Sequence, residues 1–472
     1  RSGVAKDQGD PHLEHRVRDA CSRDASSEIW RSTALAAIKE PDSIDRVLRR
    51  FGGKVRSRRC TADGLTACRR GRIVNVYSPR PGSRTAAVQA TRLSHLRDPL
   101  LKESPMRTLI TVILVVHGLI HFAGFAKAFG FAQLPQLTAP ISRTMGTLWL
   151  VAGLLTLVAA FLPLRLFWIG GLVALIASQA VIISSWSDAR FGTLGNTVAL
   201  AAVIYAFGAR GPLSLFAEYA SEGGRQIAQS RPREVLEEAD LKGLPEPVSR
   251  YLRASGAVGQ ARPSILRARW QGRIRGTASD PWMNFTAEQI NAYGETTSRL
   301  FFMEATMKGL PTDIFHQFID SHATFRVRLA SLAPVVTAKG PAMNRSETVT
   351  LFNDMCLLAP GVLTDPGIAW EVIDSTSARA TYTRGAETIT AELHFDASGM
   401  LINFLSDDRS RASADGGSFT RMRWSTPLKE PRTFGPLRLA SHGQALWHEP
   451  DGSEYVYIEM NLIDVTYNPA AW

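Results

Sequence analysis

Four closely spaced apolar runs occupy residues 106–210: Thr108 to Phe129, Met145 to Leu162, Leu166 to Ser185 and Thr193 to Ala209. A helix needs roughly 17–25 apolar residues to cross about 30 Å of hydrocarbon, so each run is long enough, or nearly so, to span a bilayer. The pattern predicts an integral membrane protein with four transmembrane helices, and the lipid bilayer as its first partner.

Beyond the fourth run the pattern changes twice. Residues 211–233 read as an amphipathic linker, followed by a short helical opening from Glu234 to Leu241. In LPEPVSRYLRASG, Pro245 and Pro247 break that helix, Val248 to Ala254 restarts it and Gly256 ends it. The period then becomes two. Leu266, Ala268, Trp270, Gly272 and Ile274 alternate with Arg267, Arg269, Gln271, Arg273 and Arg275, predicting a strand with one buried and one strongly basic face. The alternation returns in Thr388 to Asp396, where Asp396-Ala397-Ser398-Gly399 turns the chain into Met400 to Leu405. In a last strand, Tyr455 to Tyr467, Tyr455, Tyr457, Glu459 and Asn461 are predicted on one face and Val456, Ile458, Met460 and Leu462 on the other. Alternating strands joined by short turns imply an antiparallel sheet with one packed face. A helix at about Ser346 to Leu358 could cover that face. The expected fold is an α-helical four-span membrane module plus a soluble α+β domain, residues 234–472, built on a curved antiparallel sheet.

Charge separates a third region. Residues 1–105 hold 22 Lys plus Arg against 12 Asp plus Glu, so ten of the chain's eleven net positive charges lie there. They account for the pI of 9.7 and leave no electrostatic case for nucleic acid in the remainder. No methionine precedes Met106. Met106 is therefore read as the start, and residues 1–105 as upstream translation or a non-native extension; a basic, disordered cytoplasmic arm is the alternative. Cys21, Cys60 and Cys68 lie in this region without zinc-type spacing, and Cys356 is expected on an apolar helix face.

In the first apolar run His117 and His121 stand four residues apart, on one helix face. Ionisable groups within a span are functional candidates. The pair could serve a metal, haem or quinone, or relay protons; the plainer expectation is hydrogen bonding to Ser178 and Gln179 in the third run. Lys127 is placed to reach the interface, Trp149, Trp168 and Trp186 to anchor there, and Asp188 and Arg190 to pair or cap between runs three and four. Lys102, Arg107, Arg165, Arg210 and Arg225 outnumber Lys127, Arg143 and Arg190, a bias that places both ends of the module, and the C-terminal domain, in the cytoplasm.

Candidate chemistry in the C-terminal domain is sparse. Asp407, Asp408 and Arg409 follow a strand, and Asn353 and Asp354 lie on the predicted helix. Such carboxylates could bind a cation or act as acid and base, but a solvated, mutually paired loop is the ordinary reading. His316 and His322 flank Asp320 with no HExxH spacing, and the sequence contains no GxSxG elbow, P-loop or dinucleotide fingerprint. The balance is against an enzyme.

The segments HGLIHFAGFAKAFGF, SQAVIISSWSDARFGTLGN, LPEPVSRYL, LFNDMCLLAPGVL, NFLSDDR and RWSTP occur in this order. Together they resemble a bacterial membrane family known only as a domain of unknown function. The resemblance covers about Met106 to Trp472. It implies a four-helix membrane module before a soluble domain and a place in the bacterial inner membrane; it brings no activity and no site residues.

The resulting expectation is a membrane-tethered module binding a lipid or other hydrophobic ligand. Arg267, Arg269, Arg273, Arg275 and Trp270 are its ligand-binding candidates, the arginines facing anionic headgroups. The alternative is a redox, metal or quinone protein using His117 and His121. A third option, an enzyme using Asp407 and Asp408, requires a buried, water-accessible carboxylate pair.

Overall fold

The computed structural model describes residues 105–294 and 297–472. The readings made for residues 1–104, including the extension and its three cysteines, lie outside the described residues. Four helices are long and apolar enough to cross a membrane: α1 (Pro105–Ala128), α2 (Arg143–Ala160), α3 (Leu164–Ser184) and α4 (Gly192–Arg210). Ser142 caps α2 by accepting from the Met145 N–H at 3.2 Å, and Pro163 precedes α3.

Small residues fill the helix contacts. A Cβ on Gly118 of α1 would sit 3.1 Å from the Gly153 carbonyl of α2, and one on Gly153 2.9 Å from that of Gly118. The two backbones approach as closely as small residues permit. Ala152, Ala159, Ala174, Ala199, Ala202 and Ala206 are buried, whereas Leu109, Val112, Leu119, Val158, Ile176 and Ile183 are exposed. The bundle is thus small inside and aliphatic outside.

Two expectations for this region are corrected. Trp149 does not face outward as an anchoring side chain would; it is buried, its ring over Gly124 and 5.4 Å from that of His121. Asp188 neither pairs with Arg190 nor caps α4. Its carboxylate accepts from Thr138 Oγ1 at 2.9 Å and the Ala139 N–H at 2.8 Å, fastening the α1–α2 connection. Lys127 donates to the Leu137 and Ala139 carbonyls in that same connection.

The stretch 211–233 contains a helix, α5 (Leu215–Gln229), capped by Ser214. Its Leu215, Tyr219 and Ile227 pack against Ile265, Ile290, Leu300, Phe302 and Phe315 of the sheet, so it is held on the domain along its length. A shorter helix, α6 (Glu246–Ala254), follows.

The sheet is built from β1 (Ile265–Ile274), β2 (Met283–Tyr293), β3 (Thr297–Met307), β4 (Leu310–Ile319), β5 (His322–Leu329), β6 (Ala333–Lys339), β7 (Ile368–Val372), β8 (Ser377–Arg384), β9 (Glu387–Phe395) and β10 (Leu401–Ser406). It is completed by β13 (Trp424–Ser425), β14 (Leu428–Phe434), β15 (Leu437–His448) and β16 (Glu454–Tyr467), while β11 (Ser410–Ala412) and β12 (Phe419–Arg421) form a separate hairpin. The order is β6-β5-β4-β3-β2-β1-β16-β15-β13-β10-β9-β8-β7, with β14 also on β15, and the paired strands run antiparallel. The result is a half-barrel. Each neighbour adds a twist of about 20–25°, and over thirteen strands this curls the sheet around one helix, α7 (Pro341–Leu358).

Gly340, with φ +107°, and Pro341 at the first helical position start α7. Val349, Leu351, Phe352, Met355 and Cys356 are all buried, as are the polar Glu347 and Thr348. Burial pushes the Cys356 thiol well above its ordinary range. The β11–β12 turn partly closes the wrap: a Cβ on Gly416 would lie 3.1 Å from both Val336 and Ala338 of β6.

The strict alternation expected for β16 fails at Tyr457. The register between β15 and β16 shifts between Ala445 and Leu446, and a second shift against β1 falls between Arg269 and Trp270. These bulges break the period of two. Glu459 faces out to Arg273 at 2.5 Å, whereas the Tyr457 hydroxyl points in and accepts from Arg409 Nη1 at 2.9 Å.

Candidate functional site

The space between α7 and the sheet is incompletely filled. A cavity of about 900 Å³ is walled by Trp270, Phe301, Met303, Ile314, Phe325, Trp424, Trp447, Ile458 and Met460, among others. These are the inward positions of β1, β3, β4, β5, β13, β15 and β16, and α7 adds Met343, Ser346, Thr350, Asn353 and Asp354. An apolar cleft of this size with a few convergent polar groups is what a small-molecule site requires.

The polar groups form one connected strip. Arg299 on β3 donates from Nε to Asp354 Oδ2 at 2.6 Å and from Nη1 to Glu347 Oε2 at 3.3 Å. Asp354 Oδ2 also accepts from Gln289 at 2.6 Å and Asn291 at 3.1 Å, and Gln289 Oε1 accepts from the Trp270 indole at 2.9 Å. On the other side Glu347 receives the Thr350 hydroxyl at 3.1 Å, and His316 Nε2 lies 3.0 Å from its Oε1. Buried carboxylates need such partners. Burial would raise the Glu347 carboxyl; His316, Arg299 and Arg409 outweigh it and hold the group at about 2. Burial lowers His316 despite the attraction of Glu347.

Arg409 is the most elaborately held charge on this wall. Its guanidinium lies 4.4 Å from the Trp424 ring centroid and 5.4 Å from that of Trp447, a cation–π arrangement. Nε donates to Thr350 Oγ1 at 3.2 Å and Nη1 to Tyr457, whose hydroxyl also accepts from Trp424 Nε1 at 3.1 Å.

Arg409, Asp354 and Asn353, grouped by sequence, therefore do meet the cavity, Asn353 accepting from Thr426 at 2.8 Å. Asp407 and Asp408 part company. Asp407 is exposed in a two-pronged pair with Arg423 at 2.8 and 2.9 Å, which holds its carboxyl below the ordinary range. Asp408 is buried, yet accepts from Arg345 at 2.7 Å, the Thr390 N–H at 2.7 Å and Arg421. Burial would raise its carboxyl, and these donors bring it down. Neither carboxylate lines the cavity.

On β1 Trp270 faces the cavity and the arginines face outward. Arg267 pairs with Glu288 at 2.8 Å, Arg269 with Asp464 at 3.2 Å and Arg273 with Glu459 at 2.5 Å. Arg275, which lines the cavity, lies 4.4 Å from the Trp282 ring. Cross-strand carboxylates thus offset much of the charge of this face.

In the bundle His117 Nε2 lies 2.9 Å from Asn196 Oδ1 and 3.1 Å from Ser178 Oγ, and His121 Nε2 lies 2.9 Å from the same hydroxyl. Gln179 turns instead to Asn196 at 2.9 Å. Among the described residues no group of three or more His, Cys, Asp or Glu is placed to hold a metal ion.

The sequence pattern alone does not mark Arg299, Glu347, Tyr457, Trp424 and Trp447 as residues of the cavity or its polar strip. One signal was present: Arg299 is a lone charge entering the apolar run Leu300 to Met303, and a buried charge requires a partner.

Residues 234–460 match the profile of a family of unknown function, DUF6544. No curated protein matches the chain. Among solved structures, a Vibrio parahaemolyticus domain described as an outer membrane lipoprotein-sorting protein domain is 11% identical over 52% of this chain and 93% of its own, with a TM-score of 0.27. A β-barrel-like protein of unknown function, DUF1849, from Brucella abortus is 8% identical over 44% of this chain and 99% of its own, with a TM-score of 0.16. At these scores neither likeness carries an argument about function.

Proposed function

We propose that this chain, whose residues 234–460 match the DUF6544 family of unknown function, is a multi-pass protein of a bacterial inner membrane whose β domain holds a lipid or other hydrophobic molecule. The observation that carries this reading is the cavity of about 900 Å³ between α7 and the sheet, apolar on most of its wall and polar along one strip. A fully packed core leaves few voids larger than a water molecule, and a space this large exposes apolar walls that an apolar occupant would cover. Aliphatic and aromatic side chains receive the apolar part of the ligand. Trp270, Arg275 and the Arg409 guanidinium, held against two indoles, meet its polar part. The aliphatic outer surface of α1 to α4 gives the bilayer reading its support, because exposed apolar area on that scale needs a partner.

The test is mass spectrometry of small molecules extracted from the full chain, purified gently from bacterial cells. One lipid or quinone at stoichiometric amount is expected. A chain that carries none, and takes up none from mixed lipid extracts, rules the reading out.

A further inference from the structure

Three connections line one end of the cavity: the β1–β2 loop at Arg275 to Asp280, the β11–β12 hairpin at Ala412 to Ala414, and the β15–β16 turn at Glu449, Ser453 and Glu454. Strands β1 to β6 are consecutive antiparallel neighbours. The β1–β2, β3–β4 and β5–β6 connections therefore lie on one rim of the sheet. That rim also receives the end of α4. A Cβ on Gly208 would sit 2.4 Å from Leu332 and 2.9 Å from the Ser331 carbonyl in the β5–β6 turn. Arg210 pairs with Glu304 near the end of β3 at 2.6 Å, and Arg328 donates to the Leu213 carbonyl at 2.9 Å.

The same rim shows apolar side chains to its surroundings. Leu213, Leu310 and Leu332 are 74%, 43% and 42% exposed. Trp282, at the end of the β1–β2 loop, has the guanidinium groups of Arg273 and Arg275 at 4.6 and 4.4 Å from its ring. Exposed leucines and a Trp–Arg cluster on one rim match the composition of a membrane–water interface. With α4 across the bilayer, Arg210 marks the surface level, and the rim that bears Leu332 stands on that surface.

Resting on the cavity reading above, we propose that the mouth of the cavity opens onto the lipid surface and that its occupant is a bilayer amphiphile entering from the adjacent leaflet. The partner surface is the bilayer itself, met by the β1–β2 loop.

The experiment uses the full chain with Cys21, Cys60 and Cys68 replaced by Ser and the buried Cys356 retained. Single cysteines are introduced as Ala278→Cys in the β1–β2 loop and His322→Cys at the opposite end of β5, where the side chain is exposed. Each is labelled with a polarity-sensitive dye, and the protein is reconstituted into phosphatidylcholine vesicles with and without brominated lipid. Blue-shifted emission and several-fold stronger lipid quenching at 278 than at 322 are expected. Equal, water-like signals at both positions would overturn the proposal. The lipid extraction is read separately: a bound lipid beside a water-exposed label at 278 rejects the membrane-facing mouth while keeping the cavity reading. An embedded label in a chain that takes up no lipid rejects the cavity reading and supports the rim contact.

Discussion

Arg299 on β3 and Asp354 on α7 meet with Nε 2.6 Å from Oδ2, at the centre of the polar strip on a largely apolar cavity wall. The contact joins the central helix to the middle of the sheet, and Glu347, two helical turns earlier, leans on the same guanidinium. Removing one partner of a buried ion pair leaves a charge that neither water nor protein offsets, which costs about 3–5 kcal/mol. Arg299→Met should therefore lower the melting temperature of the detergent-solubilised chain sharply. Asp354→Asn should cost clearly less, because the amide oxygen still accepts from Gln289 and Asn291. Equal melting losses in the two variants would remove the electrostatic account.

Glu347 should make stability depend on acid. Its folded carboxyl is held at about 2 against an ordinary 4.5, so its contribution is present above 4.5 and is lost as pH falls through 4.5 toward 2. Glu347→Gln removes the titrating group. The difference in unfolding free energy between the native chain and this variant should be constant above pH 5 and shrink below it; a difference flat down to pH 3 counts against the assigned environment.

Asp313 has the opposite sign. Burial, then the nearby Glu304, raise its carboxyl from 3.8 to about 6, and one of its oxygens lacks a hydrogen-bond partner. The folded state binds the proton more tightly than the unfolded one, so this contribution is fully present below 3.8 and is lost as pH rises through 6. At pH 7 the site holds a poorly compensated charge beside the junction of α4 with the sheet. Asp313→Asn should raise stability there, by on the order of 2 kcal/mol, and the gain should vanish near pH 4. Melts of both chains from pH 4 to pH 7 decide it.

Ligand occupancy should respond to cavity volume separately from stability. Met303 lines the open space, so Met303→Trp has room to extend into it without the usual cost of overpacking. The bound lipid should fall below one-half occupancy while the melting temperature of the lipid-free chain stays within a few degrees. Arg409→Lys keeps the charge but loses the planar stacking on Trp424 and Trp447, and should lower occupancy as well. Unchanged lipid content in both variants would place the ligand elsewhere.

These sites were unevenly legible in the sequence. The four apolar helices and strands β1, β9, β10 and β16 show themselves because their periods are local, and the pattern shows α7 from Ser346 onward although Gly340 and Pro341 begin it about five residues earlier. Strand β3 was harder: its buried face includes Arg299, and both faces are covered, one by α5 and one by α7, so it does not alternate. The inward turn of Tyr457 depends on a bulge, which shifts the register without a residue-level signal. The polar strip was out of reach for a further reason. Arg299 finds Glu347 and Asp354 across 48 and 55 residues of chain, and only the closure of the sheet around α7 brings them together.

In the helical module Ser178 serves both histidines, and Gly195 makes room for the first. The Ser178 hydroxyl lies 3.1 Å from His117 Nε2 and 2.9 Å from His121 Nε2. A Cβ at position 195 would fall 2.6 Å from His117 Nδ1, and that ring is held in place by Asn196 at 2.9 Å. Interhelical hydrogen bonds inside a membrane contribute about 0.6–1.7 kcal/mol, so Ser178→Ala should be a mild variant. Gly195→Ala forces α4 away from α1 along its length and should be the more damaging of the two. The measurement is resistance of the reconstituted chain to unfolding by a denaturing detergent. Ser178→Ala proving the more harmful would mean that the two imidazoles do more than pack the helices, and would direct metal and absorbance analysis to that pair.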